Sequence, residues 1–126
     1  PPPPPAPPHH PHGVCKIHHT IGCYNDTDWS SGNQPGLVLP AYQASVHGRI
    51  SLESCAAACN SMKLSVAGVN DGSDCFCGAV ADLEKPAVTV RSRPKEECMA
   101  SACDADPKEK ECGGPGRLLA YHFSCS

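Results

Sequence analysis

Ten cysteines fall within 126 residues, and no other feature of the chain restricts its fold so tightly. Four of them form two close pairs: Cys55 and Cys59 stand four apart in ESCAAACNS, and Cys75 and Cys77 stand two apart in DCFCG. An even count at this density, with no apolar run long enough to cross a bilayer, points to the disulfide framework of a secreted or lumenal protein, with five bridges. The apolar complement agrees. Besides Ala and Cys it is a modest set of Leu, Val and Ile with two Phe, two Met, three Tyr and one Trp, which makes a thin core. Covalent links that restrict the unfolded chain, each contributing about 2–4 kcal/mol, compensate for a core of that kind.

The stretch RISLESCAAACNSM predicts a helix from Leu52 to about Met62. Ser51 is its cap, Glu53 sits in the first turn where the helix dipole favours a carboxylate, and the alanines continue it. Cys55 and Cys59 then share one helix face. LSVAGVN and DCFCGAV flank an Asp71-Gly72 step, which predicts two short strands joined by a turn. In the second strand Cys75 and Cys77 point to one side and Phe76 to the other. Two sulfurs on a helix face can thus meet two on a strand face. A zinc site fits less well, because Cys-x-Cys on a strand has no knuckle turn. A thioredoxin-like switch needs Cys-x-x-Cys, which the chain lacks.

Downstream, RSRPKEECMASACDAD predicts a second short helix from about Pro94, with Glu96 and Glu97 near its positive end and Cys98 and Cys103 on it or just beyond. ECGGPGRLLAYHFSCS reads as a Gly-Pro turn followed by a final strand, Leu118 to Phe123. The net charge of −3 offers no basic face, so neither nucleic acid nor anionic lipid is an expected partner, and this segment has no expected membrane span.

The chain begins at Pro1 without an initiator Met or a signal peptide and is read as a processed or partial piece of something longer. Residues 1–13, PPPPPAPPHHPHG, form a linker or rod distinct from the globular part, 14–126. Proline fixes φ and removes the backbone donor, so Pro1 to Pro8 predict a polyproline II rod rising about 3.1 Å per residue. His9, His10, His12, His18 and His19 make a histidine-rich run, and neutral imidazoles suit zinc, copper and nickel. No acidic or cysteine partner stands at ligand spacing, so no metal and no other cofactor is expected.

These pieces together resemble the WSC domain, a cysteine-rich extracellular module. The residues that carry the resemblance are IGCYND from Ile21, SLESCAAAC from Ser51, VAGVNDGSDCFCG from Val66, EEC from Glu96, Cys103, and CGGPGRLLAY from Cys112. The resemblance implies an α+β fold, a small disulfide-rich domain with short helices on a small antiparallel sheet, here preceded by the polyproline tail. It also implies the pairs Cys23–Cys98, Cys55–Cys75, Cys59–Cys77 and Cys103–Cys112. Ten cysteines allow on the order of a thousand pairings, among which spacing cannot choose. Cys15 and Cys125 are additional to the family pattern; they bracket the module and most simply pair with each other. The insert TDWSSGNQPGLVLPAYQASVHGR is longer than the family usually has. The proline run resembles segments of hydroxyproline-rich matrix glycoproteins, which implies hydroxylation and arabinose-type glycans on Pro1, Pro2, Pro3, Pro4, Pro5, Pro7 and Pro8.

The family resemblance implies carbohydrate binding without catalysis. The residues agree on the second half: no motif places paired carboxylates for glycoside hydrolysis, and there is no Gly-x-Ser-x-Gly elbow. For binding, sugar recognition wants an aromatic to stack on a pyranose and planar polar groups around its hydroxyls. Trp29, Asp26, Asp28 and Tyr42 are the candidates, with Trp29 as a core residue the rival reading. Tyr24 and Phe76 are expected to be buried. Asn25 opens the sequon NDT and is a candidate N-glycosylation site. Two functions follow. One is a module that binds polysaccharide within a cell-wall or extracellular-matrix glycoprotein. The other is a structural subunit of a glycosylated filament whose partners are identical subunits.

Overall fold

The computed structural model describes residues 14–26 and 37–126. The expected polyproline rod and its glycan-bearing prolines, His9, His10 and His12, and Asp28 and Trp29 lie outside the described residues.

A single antiparallel sheet of six strands organises the chain. Its strands are β1 (Cys15–Asn25), β2 (Ala41–Tyr42), β3 (Val66–Asn70), β4 (Asp74–Gly78), β5 (Ser92–Arg93) and β6 (Arg117–Cys125), in the order β2-β4-β3-β6-β1-β5. Helix α1 (Leu52–Ser61) lies across one face, and the single-turn helices α2 (Val80–Leu83) and α3 (Pro86–Thr89) connect β4 to β5. The α1 cap is reciprocal. Ser51 Oγ accepts from the Ser54 amide at 2.9 Å, and Ser54 Oγ accepts from the Ser51 amide at 2.8 Å, so two donors that the first turn leaves open are satisfied. The β3–β4 hairpin turns through Asp71 and Gly72, both at positive φ (53° and 77°), the backbone that an Asp-Gly step adopts at low cost.

The sheet separates two cores of different chemistry. All ten cysteines pack on the α1 side, with Ile50, Leu52, Val69, Leu119 and Tyr121. Aliphatic and aromatic side chains, among them Tyr24, Leu39, Val66, Phe76 and Leu118, fill the other side. The alternation of β4 does this directly, sending Cys75 and Cys77 one way and Phe76 the other. Gly68 in β3 permits the second core to close: a Cβ there would stand 2.8 Å from Leu39 Cδ1 and 2.9 Å from Leu118 Cδ2. On the first side, Tyr121 is fully buried and its hydroxyl donates to the Leu52 carbonyl at 2.7 Å, which ties β6 to the start of α1.

The five bridges join Cys15 to Cys125, Cys23 to Cys98, Cys55 to Cys75, Cys59 to Cys77 and Cys103 to Cys112. α1 is short and buries only Leu52, Cys55, Ala56 and Cys59, so two bridges to β4 hold it where few large side chains do.

Of the elements that differ from the sequence reading, two shape the fold most. The helix expected from Pro94 is a four-residue 3-10 turn, Lys95–Cys98, with Pro94 before it. Cys98 is tied to β1, and the amides that would continue a helix are engaged elsewhere: Ser101 donates to the Gly113 carbonyl at 2.9 Å and Cys103 to that of Glu109 at 2.8 Å. The second difference is β1, 11 residues long, which local pattern did not reveal. Its pairing with β6 shifts register twice, between Ile17 and Thr20 and between Thr20 and Gly22. One bulge inverts the alternation and the next restores it, so Cys15, Ile17 and Cys23 reach the same core while Ile21, of the same parity, packs in the other.

Candidate functional site

The candidate residues Asp26 and Tyr42 are brought to one end of the sheet, the end at which the β3–β4 hairpin turns. Asp26 follows β1, and its amide donates to the Gly116 carbonyl at 2.8 Å. Asn70 closes β3, and its side chain reaches Asp26 Oδ2 at 3.4 Å. Asn70 pairs in the ladder with Asp74, which opens β4 and accepts from the Tyr42 hydroxyl at 2.8 Å. A band of polar groups therefore crosses the sheet end on the side away from α1.

Asp26 does not face a ligand. It is 0% exposed, and Arg91 Nη2 lies 3.1 Å from its Oδ1 while Arg91 Nε donates to the Asn25 carbonyl at 2.9 Å. Burial raises the Asp26 carboxyl above the usual range, and the Arg91 charge with hydrogen bonds from Asn70, the Val38 backbone and Arg91 opposes the rise. The structure thus places Asp26, a candidate sugar contact by sequence, in a buried ion pair. A carboxylate directly after a strand can anchor the backbone as readily as it can face solvent, and here it holds the point from which the 27–36 stretch departs. The stretch returns at Leu37, followed by Val38 and Leu39, which are 1% and 0% exposed. Both stems are thus fixed in the second core.

Tyr42 is half-buried on edge strand β2, opposite Phe76, with ring centroids 5.1 Å apart and tilted by 50°. Besides the Tyr42 hydroxyl, Asp74 Oδ1 is approached by His47 Nδ1 at 2.7 Å, and the phenol oxygen lies 3.2 Å from that nitrogen. Burial, then the hydrogen bond to Asp74 and its charge, push the Tyr42 phenol up to about 12. The phenol therefore stays protonated as a donor through the physiological range. His47 remains accessible, its side chain 57% exposed. Gln43, which follows Tyr42, turns instead towards the end of α1, its Nε2 donating to the Ala41 carbonyl at 3.1 Å and reaching Met62 Sδ at 2.8 Å. An aromatic ring with an imidazole and a carboxylate beside it is a recognition set for hydroxyl-rich ligands. Sequence reasoning named Tyr42 but missed His47 and Asp74, since nothing local distinguishes either.

Asn25 is exposed at the end of β1, where Arg117 Nη1 approaches its side-chain oxygen at 3.4 Å. Beside it Glu97 is clamped by Arg93 Nη2 at 2.7 Å and Arg117 Nε at 2.6 Å; the hydrogen bonds from these arginines hold its carboxyl down at about 2. Tyr24 and Phe76 are buried, at 8% and 0% exposure. Among the described residues, one group of cysteine, histidine or acidic side chains is drawn tightly enough together for a metal, Cys55, Cys59 and Cys75, and its sulfurs are committed to disulfides. No helix among the described residues is long and apolar enough to cross a membrane. Five disulfides belong to an oxidising compartment, which makes this a secreted or cell-surface protein.

Residues 20–114 match the family model of the WSC domain. Kremen protein 1 of Mus musculus is 29% identical over 108 residues, 86% of this chain and 20% of its own length. Kremen protein 2 of Homo sapiens is 31% identical over 110 residues, 87% of this chain and 21% of its own. A WSC domain-containing protein of Arthroderma benhamiae is 35% identical over 103 residues, 80% of this chain and 10% of its own. The chain thus spans only about a tenth to a fifth of the length of these relatives. The matched residues contain four of the five bridges, and Cys15–Cys125 lies outside them. With the cysteine framework, the two-sided sheet and the family match in agreement over most of its length, this chain belongs to the WSC domain family.

Proposed function

We propose that this chain is a non-catalytic extracellular module that binds polysaccharide as part of a cell-wall or extracellular-matrix glycoprotein. The observation that carries the reading is the convergence of Tyr42, His47 and Asp74 at one end of the sheet. In this reading Trp29 and Tyr42 stack on pyranose faces, Asp28 and His47 exchange hydrogen bonds with ring hydroxyls, and the buried Asp74 orients Tyr42 and His47. Family membership and the disulfide framework support an extracellular setting.

The test is co-sedimentation of the folded protein with insoluble wall polysaccharides, comparing wild type, Trp29→Ala and Tyr42→Ala. Loss of a stacked ring weakens binding by about 0.5–1.5 kcal/mol beyond area burial. Retention of wild-type binding in both variants, or no binding by the wild type to any polysaccharide, overturns the reading. The composition of Pro1 to Pro8 favours a second one, a filament subunit with a hydroxyproline-glycan rod. Intact mass of the native N-terminal peptide checks it, since each hydroxylation and each pentose adds a fixed increment; an unmodified mass removes the glycan part.

A further inference from the structure

We propose that the β1 bulge builds a transition-metal site on the sheet face opposite α1, with His19 and His122 as the ligand pair and His18 as the third imidazole. In β6, Tyr121, Phe123 and Cys125 pack in the cysteine-rich core, so the alternate residues His122 and Ser124 point to the other face. His18 Nε2 lies 2.7 Å from Ser124 Oγ, and the His19 ring stands 4.7 Å from the His122 ring, tilted by 54°. Two consecutive residues of a regular strand cannot both reach one face. The register shift between Ile17 and Thr20 is what allows it, because the extra residue of a bulge breaks the alternation.

The result is a close pair of imidazoles, His19 and His122, with His18 on the same face, that no stretch of sequence displays, since His122 comes from the far end of the chain. Neutral imidazole is a good ligand for zinc, copper and nickel, and a set of imidazoles suits these ions over calcium or magnesium. His18 and His19 are exposed and His122 is half-buried, so an ion has access. His18 is turned to Ser124, and in the proposed site it gives up that hydrogen bond to join the pair. Lys16, which pairs with Ser124 on the same face, opposes a dication by charge repulsion.

The experiment is a titration of the intact, isotopically labelled chain with zinc chloride, following the histidine ring resonances. The expected result is that His19 and His122 respond together and saturate at one ion, and that the thermal midpoint rises with zinc. His19→Gln and His122→Gln are each expected to weaken binding about tenfold or more, Lys16→Gln to strengthen it, and replacement of His9, His10 and His12 by Gln to leave it unchanged. His19 is exposed, so its variant separates loss of a ligand from loss of fold should His122→Gln prove unstable. A response confined to His9, His10 and His12, or zinc binding that survives His19→Gln, overturns the proposal.

Discussion

The Tyr42 hydroxyl donates to Asp74 Oδ1 at 2.8 Å across two neighbouring strands, joining residues 32 positions apart in the chain. This contact makes the edge strand β2, only two residues long, part of the sheet end rather than a loose flap. It also orients the ring that the binding reading relies on, since the same carboxylate holds His47.

Tyr42→Phe keeps the ring and removes the donor. With the Asp74 side chain 11% exposed, the loss is expected to destabilise the domain by about 1–2 kcal/mol, read as a lower denaturation midpoint, while stacking on polysaccharide persists. In Asp74→Asn the Tyr42 phenol, otherwise ionising at about 12, is expected to fall part of the way towards its ordinary value because burial remains; ultraviolet titration of the phenols measures this.

Arg91→Ala leaves Asp26 buried and unpaired. Unfolding in denaturant at neutral pH is expected to show a loss of about 3–5 kcal/mol. The pH dependence has a definite sign. Because burial raises the folded-state value of Asp26, its contribution to stability is full below the unfolded value and is lost as pH rises through the folded one. Removing Arg91 widens that window, so the difference between variant and wild type shrinks as pH is lowered towards about 4.

Glu97 behaves in the opposite sense. Its carboxyl is held down at about 2 by Arg93 and Arg117, so its contribution is present above the unfolded value and is lost as pH falls through about 2. Carboxyl resonances followed through an acid titration should place Glu97 near that value, and Arg93→Ala should move it upward with little effect on the fold.

Cys15–Cys125 closes the longest loop, a separation of 110 residues, by joining directly opposed residues of β1 and β6. Replacing both by Ala is expected to leave the other four bridges intact by non-reducing peptide mapping and to lower stability by about 2–5 kcal/mol. Chain-entropy arguments place the loss at the upper end for so long a loop. Mapping that links Cys55 to Cys59, or finds a free thiol in the wild type, contradicts the framework on which this rests.

Much of the centre of the fold was legible. Ser51 and the alanines marked α1, the Asp71-Gly72 step marked the hairpin, and spacings of four and two set sulfurs on facing surfaces, because each of these depends on backbone geometry within a few residues. The candidate site was legible only in part. Tyr42 could be named as an aromatic, whereas the burial of Asp26 and the roles of His47 and Asp74 depend on Arg91, Asn70 and a neighbouring strand.

What the sequence by itself determined is the local vocabulary: a capped helix, a tight hairpin, and enough cysteine to staple a thin core. What only the tertiary structure decided is which distant groups meet. β1 shows the division most plainly, for its two bulges interrupt the alternation in mid-strand and its face assignments come from pairing with β6 at the other end of the chain. A bulge, a buried ion pair and a cross-strand histidine pair each gain their stabilisation from a long-range partner, and such a partner leaves no trace in the spacing of the residues it holds.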